Sequence, residues 1–336
     1  MKRTFFLIAI ACACVCSCAE KASEIKNEKE YRFFTSWVRV NYPNAEKTFP
    51  GIYIVEDIPG SGDIVGDPVD STFLEADYSI RTVEKGEYAA FTYAEVAKQL
   101  SQYDKTRHYG PSLMPYGSAG TYAGAEYAFR DMRVGGFRKI IIPRWLMTLS
   151  RYDSEEGYLR NVNGQEDYIY EIKILDKISD EPAWEVDSIQ RYIRRNYDEN
   201  TVKQLKYGFY YIRTKEPSDT TSFKKDSTFY INYIGRRLDG QVFDTTIKDT
   251  ARMYGIFKEG NAYKPVKITY ADDYTEIKLS GNNVIDGFAY AIYQMKPYES
   301  CTAIFYSASG YSSSGSGAMI PEYSPLRFDI SIVDEK

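Results

Sequence analysis

The sequence predicts an α+β protein made of two related domains, each an antiparallel sheet wrapped on a short helix and each preceded by an N-terminal helix. Three observations predict it. Tyrosine is abundant, 32 of 336 residues, which favours strands and aromatic-lined surfaces over a helical bundle. Apolar and polar residues alternate in strand-like runs, best where Leu326, Phe328, Ile330 and Ile332 face one way and Arg327, Asp329 and Ser331 the other. One pattern also occurs twice. Trp37-Val38-Arg39-Val40-Asn41-Tyr42, then Gly51-Ile52-Tyr53, returns as Tyr192-Ile193-Arg194-Arg195-Asn196-Tyr197, then Gly208-Phe209-Tyr210, offset by 155 to 157 residues. Two copies of that length mean duplicated domains rather than a solenoid.

In chain order, residues 1–17 read as a signal peptide. Lys2-Arg3 is its basic start and Phe5 to Ala13 its apolar run, too short to span a bilayer as a mature helix. Val15-Cys16-Ser17-Cys18 resembles a bacterial lipobox, which implies cleavage before Cys18 and lipidation of that residue. Several acyl chains on one residue hold a protein to a membrane far better than one does. Residues 18–30 are then a polar, lipid-anchored tether. The expected location is the cell envelope, anchored at the outer membrane with the domains in the periplasm or at the surface. Only Cys301 remains beyond the leader, so no intrachain disulfide is expected, and Cys301 reads as a small buried hydrophobe.

Residues 31–180 form the first expected domain and 181–336 the second. Glu28 to Asn41 and Glu185 to Tyr197 are the opening helices, and the boundary falls near Ser179 to Pro182, where proline can open a helix. Strands are expected at Gly208–Thr214, Ser227–Arg236, Glu276–Leu279, Cys301–Tyr306 and Leu326–Val333. Val284 to Met295 is the short amphipathic helix, with Ile285, Phe288, Ala289, Ile292 and Met295 on its apolar face. Met132-Arg133 answers Met295-Lys296, and Tyr170-Glu171-Ile172 answers Phe328-Asp329-Ile330.

Composition excludes several functions. The net charge of −5 becomes −7 without Lys2 and Arg3, which disfavours a nucleic-acid partner. His108 is the only histidine, which disfavours a zinc site, and no metal or cofactor is expected. No paired carboxylates at a readable spacing, nucleophile elbow or phosphate loop suggests other enzymology.

Asp239-Gly240 between two half-apolar runs is a hairpin signal. It leaves the Phe243-Asp244 pair unexplained. The second unit supplies the context, because it resembles the FK506-binding-protein (FKBP) family of peptidyl-prolyl cis-trans isomerases. The resemblance rests on Tyr233-x-Gly235, Leu238-Asp239-Gly240, Phe243-Asp244-Thr245-Thr246, Val284-Ile285-x-Gly287-Phe288, Met295-Lys296, Tyr311 sixteen residues past Met295, Gly315, Ile320-Pro321, and Leu326 with Phe328-Asp329. It covers roughly residues 208–333. The chain departs from the family where Tyr298 and Ser312 replace glycines, where an Ile-Pro pair is missing from Phe305 to Ala308, and where the segment from Asp244 to Leu279 is longer. Tyr274 is the nearest candidate for an aromatic that lines the family's pocket. The first unit keeps scaffold features, Gly60-Ser61-Gly62, Met132 to Gly136 and Ile142-Pro143, but no Tyr-x-Gly or Phe-Asp between Tyr78 and Thr92. It reads as degenerate.

The resemblance implies an isomerase of X-Pro bonds that serves protein folding in the envelope. Its partners are proline-containing polypeptides and the macrolide ligands of the family. It also implies a pocket for the proline ring formed by Tyr233, Phe243, Val284, Ile285, Phe288, Ile320 and Phe328, with Tyr311 donating a hydrogen bond to a substrate carbonyl. Asp244 orients a pocket side chain rather than moving a proton, because isomerisation transfers none. The Ser- and Gly-rich stretch from Ser307 to Gly317 is expected to be a mobile flap over that pocket. The alternative is a non-catalytic module of the same fold that grips peptides or an envelope partner. A surface-glycan or adhesion lipoprotein is a third reading, from the aromatic content.

Overall fold

The computed structural model describes residues 26–69, 72–117 and 120–335. The leader, Cys18 and most of the tether lie outside the described residues. The first unit runs α1 (Glu28–Asn41), β1 (Glu46–Thr48), β2 (Ile52–Ile58), β3 (Phe73–Thr82), β4 (Tyr88–Phe91), α2 (Ala94–Gln99), β5 (Ser112–Pro115), α3 (Ala123–Phe129), β6 (Phe137–Ile142), α4 (Glu155–Asn161) and β7 (Tyr168–Ile178). The second runs α5 (Glu181–Asn196), β8 (Val202–Lys206), β9 (Phe209–Lys215), β10 (Thr228–Arg237), β11 (Val242–Thr245), α6 (Lys248–Tyr254), β12 (Val266–Thr269), β13 (Lys278–Leu279), β14 (Asn282–Asn283), α7 (Asp286–Gln294), β15 (Ser300–Phe305) and β16 (Leu326–Val333). No helix among the described residues is long and apolar enough to cross a membrane.

Two all-antiparallel sheets share one topology. The first is ordered β1-β2-β6-β7-β3-β4, with β5 also on β3, and the second β8-β9-β15-β16-β10-β12-β13-β14, with β11 also on β10. Strand for strand, β1, β2, β6, β7 and β3 match β8, β9, β15, β16 and β10. The match reaches side chains. At the end of each opening helix an asparagine folds back, Asn41 Nδ2 to Trp37 O at 2.9 Å and Asn196 Nδ2 to Tyr192 O at 2.8 Å. Each unit is therefore an α+β domain of one topology, and the repeated Asn-Tyr of the sequence is a repeated helix end.

In the second domain the alternation along β16 is realised: Leu326, Phe328, Ile330 and Ile332 are buried, with Arg327, Asp329 and Ser331 between them. One face of the sheet takes α5, whose Ile189 and Ile193 pack with Tyr210, Ile212 and Ile304. The other takes α7, whose Phe288, Ala289 and Ile292 pack with Phe209, Phe305 and Phe328. Cys301 is free and buried in that core. α5 starts a turn before the expected Glu185 because the Asp180 side chain accepts from Ala183 N at 3.0 Å and Pro182 occupies the first turn.

One expectation needs correcting. The strand expected over Glu276–Leu279 is paired only at Lys278 and Leu279; Glu276 closes a 3-10 turn, Tyr274–Glu276, where the Asp273 side chain captures Thr275 N at 2.9 Å. The stretch expected as a mobile flap contains two 3-10 turns, Ser307–Ser309 and Ser312–Ser314. Ser316 and Ile320 then exchange backbone hydrogen bonds of 2.8 and 3.3 Å across its tip.

Candidate functional site

The β10–β11 hairpin turns at Leu238-Asp239-Gly240, where Gly240 takes φ +93° and Arg237 N donates to Gln241 O at 3.0 Å. That turn sets Asp244 opposite Gly235 on one side of β10, while Phe328 of β16 lies opposite Gly235 on the other. A Cβ on Gly235 would stand 2.7 Å from the Phe243 ring and 2.9 Å from the Phe328 ring. The Tyr-x-Gly spacing thus has a steric cause: only glycine lets the two rings close over the strand. Gly287 does the same at the start of α7, where a Cβ would meet the Phe305 ring at 2.5 Å.

The result is a cavity of about 420 Å³ lined by Tyr233, Phe243, Asp244, Val284, Ile285, Phe288, Tyr311 and Phe328, with Leu279 and Asn283. Phe328 is central. Its ring lies 5.0 Å from Phe288 and 5.6 Å from Phe243, both edge to face, and 5.8 Å from the parallel Phe305. Tyr233 closes on Phe288 at 5.3 Å. Such edge-to-face pairs fix ring orientation as well as adding contact energy.

Polar groups are few. The Tyr233 hydroxyl donates to Asp244 Oδ2 at 2.6 Å, which turns this phenol away from other partners. Burial, followed by the adjacent Asp244 carboxylate, raises the Tyr233 pKa, so the phenol stays protonated. Tyr311 is half-buried, and burial followed by the charge of Asp244 raises its pKa too. No group among the described residues accepts a hydrogen bond from its hydroxyl, so that donor is available to a ligand in the cavity.

Of the residues the sequence singles out, Ile320 and Tyr274 stand apart from this group. Ile320 is 3% exposed and packs into the core beneath the flap rather than lining the cavity. Tyr274 packs on Tyr290 and Tyr293, with ring centroids 5.2 and 6.4 Å away. Leu279 and Asn283 line the cavity without having been singled out. Sequence reasoning also passed over the support of the flap. Glu185 of α5, fully buried, accepts from Ser307 N at 2.6 Å and from the Ser307 hydroxyl at 2.5 Å, holding the start of the segment that carries Tyr311. A glutamate in an amphipathic helix carries no signal of that contact.

The first domain shows what loss of this site looks like. Tyr78 matches Tyr233: each lies opposite an isoleucine, Ile172 or Ile330, and each N–H donates at 3.0 Å to a threonine hydroxyl, Thr92 or Thr246. The register then puts Ile80 at the place of Gly235 and Ala90 at that of Asp244. Ala89 stands for Phe243, and Ala125, next to Gly124 in α3, stands for Phe288. The rings of Phe243 and Phe288 and the acid have no counterpart, while Tyr170, opposite Ile80, keeps an aromatic at the place of Phe328.

Residues 219–333 match the family described as FKBP-type peptidyl-prolyl cis-trans isomerase. That segment belongs to the FKBP-type isomerases. No curated protein matches the chain. Among solved structures, a peptidyl-prolyl cis-trans isomerase from Pseudomonas syringae pv. tomato is similar at 17% identity, over 46% of this chain and 96% of its own, with a TM-score of 0.32. FkpA from Escherichia coli is similar at 21% identity, over 46% of this chain and 61% of its own, with a TM-score of 0.33. The three FKBP domains of wheat FKBP73 are similar at 13% identity, over 85% of this chain and 95% of theirs, with a TM-score of 0.29.

Two departures of this FKBP-type domain from the family pattern keep the backbone that glycine serves. Tyr298 and Ser312 hold φ of +58° and +50°. The Tyr298 hydroxyl donates to Asp334 at 2.6 Å, an anchor that glycine lacks.

Proposed function

We propose that the chain is a peptidyl-prolyl cis-trans isomerase that turns X-Pro bonds over in the aromatic cavity of its second domain. The observation that carries this reading is the pairing of an apolar cavity with one uncommitted donor, the hydroxyl of Tyr311. The uncatalysed barrier of about 18–20 kcal/mol comes from amide resonance. The twisted amide has lost that resonance and its planar polarity. A dry pocket around the proline ring favours it over the planar, better-hydrated ground state. Phe243, Phe288 and Phe328 grip the ring, and Val284 and Ile285 cover it at the start of α7. The Tyr311 hydroxyl donates to a carbonyl of the substrate backbone and fixes the segment against which the bond rotates. The Tyr233–Asp244 bond holds the wall in place and keeps the carboxylate occupied. No step moves a proton.

We further propose that residues 31–180 and 181–336 are its two domains and that it works in a bacterial envelope, tethered through a lipid on Cys18. The lipobox-like Val15 to Cys18 supports the tether. The isomerase reading is tested by a protease-free cis/trans assay on short X-Pro peptides with the full chain and Tyr311→Phe. Loss of one neutral hydrogen bond, leaving its partner unsatisfied, costs about 1–3 kcal/mol, so kcat/KM should fall by about fivefold to a hundredfold. A folded chain with no acceleration over the uncatalysed rate is a binding module instead.

A further inference from the structure

We propose that the first domain and the long segment after β11 build a second compartment beside the proline cavity, which holds the residues flanking the proline and selects acidic side chains there. It rests on the isomerase reading, because the flanking residues belong to the same polypeptide. A second cavity of about 780 Å³ shares Tyr233, Phe243 and Asp244 with the proline cavity as a common wall. A chain whose proline enters one therefore continues past the other. Most of the remaining wall comes from two places. One is the first-domain loop between α2 and β5, through Asp104, Thr106 and Arg107; the other is residues 255–263, within the stretch that lengthens this domain relative to the family.

The loop is docked. His108 N donates to Ala318 O, just past the flap, at 3.1 Å, and Lys105 lies so close to Gly255 that an added Cβ there would fall 2.0 Å from its Cε. Behind it, the Phe73 ring of β3 meets Tyr323 edge to face at 5.0 Å. Inside the loop, Asp104 accepts from Thr106 N and the Thr106 hydroxyl, both at 2.8 Å. The degenerate domain thus supplies a shaped wall to its partner's site.

The charges around this compartment are unequal in availability. Its two carboxylates are engaged, Asp104 by Thr106 and Asp244 by Tyr233. Its two cations, Arg107 and Lys258, are exposed and have no ion-pair partner among the described residues. Arg107 lies 6.0 Å from the Tyr109 ring and feels the charge of Asp104 without pairing with it. An Asp or Glu close to the proline would find both cations open, whereas a Lys or Arg would find both carboxylates already hydrogen-bonded.

The test uses the full chain and peptides of one sequence with Glu, Ala or Lys on either side of Ala-Pro. Turnover is read in the protease-free assay, and binding of the labelled peptides by fluorescence anisotropy. The expected ratio of kcat/KM, Glu peptide over Lys peptide, is on the order of fivefold, the scale of solvent-exposed ion pairs. In Arg107→Glu/Lys258→Glu it should fall to one or invert, with the melting temperature kept. A ratio near one in the unaltered chain, or one that the reversal leaves unmoved, overturns the charge selection while leaving the isomerase reading intact. Without any turnover the isomerase reading fails, and the same ratio in binding decides the compartment. Absence of binding to every peptide overturns both.

Discussion

A Cβ at Gly235 would stand 2.7 Å from Phe243 and 2.9 Å from Phe328, so Gly235→Ala forces two packed rings apart. We expect it to destabilise the second domain by about 1–3 kcal/mol in urea unfolding and to raise KM, since the same rings line the cavity. Ser312 is the opposite case. Its φ of +50° is one that glycine adopts freely, so Ser312→Gly should add stability of up to about 1 kcal/mol. An unchanged or lowered urea midpoint would show that the Ser312 backbone is not strained. At this scale the site is partly legible in the sequence. Tyr233, Phe243, Asp244 and Tyr311 stand out because each motif is a residue type at a fixed distance from a turn or glycine. Ile320 does not separate from them by type, since an isoleucine before proline reads alike in a wall and in the core below it. Leu279 and Asn283 depend on how a short β-ribbon, β13–β14, curls toward α7, which no local pattern encodes.

The opening helix of the second domain does more than cover a sheet face. Glu185 is fully buried, and burial pushes its pKa from the ordinary 4.5 up to about 9, with the neighbouring Glu181 adding to the rise and the Ser307 hydrogen bonds opposing it. Unfolding releases this proton at any pH between those two values. The folded state therefore binds more protons than the unfolded one in that window. The contribution to stability is complete below the unfolded value and is lost as the pH rises toward the folded one. Each pH unit in the window costs at most about 1.4 kcal/mol. Glu185→Gln, whose amide oxygen can still accept from Ser307 N while its NH2 donates to the Ser307 hydroxyl, should flatten this alkaline decline in melts taken across that range; an unaltered slope would assign it to other groups. Elements that bury a periodic face are the legible ones. α1, α5, α7, β9, β10, β15 and β16 all follow from spacing. The short strands β8, β11, β12 and β14 do not, because two to five residues hold too little alternation to separate a strand from a loop.

The duplication shows in the sequence because both copies keep the residues that end the opening helix and start β2 or β9. What each copy can do shows too, once residues are compared in register. Ile80, Ala89, Ala90 and Ala125 fill or strip the places where Gly235, Phe243, Asp244 and Phe288 make a cavity. Contacts between the copies are not legible, since His108, Lys105 and Phe73 meet partners more than a hundred residues away and follow no motif. The central claim is that one copy turns over X-Pro bonds and the other does not. The most direct measurement is the protease-free isomerisation rate of the full chain beside Phe243→Ala in the second domain and Tyr78→Phe in the first. The account predicts acceleration that falls by about tenfold or more in Phe243→Ala and stays as it is in Tyr78→Phe. Acceleration insensitive to Phe243→Ala, or lost in Tyr78→Phe, would contradict it.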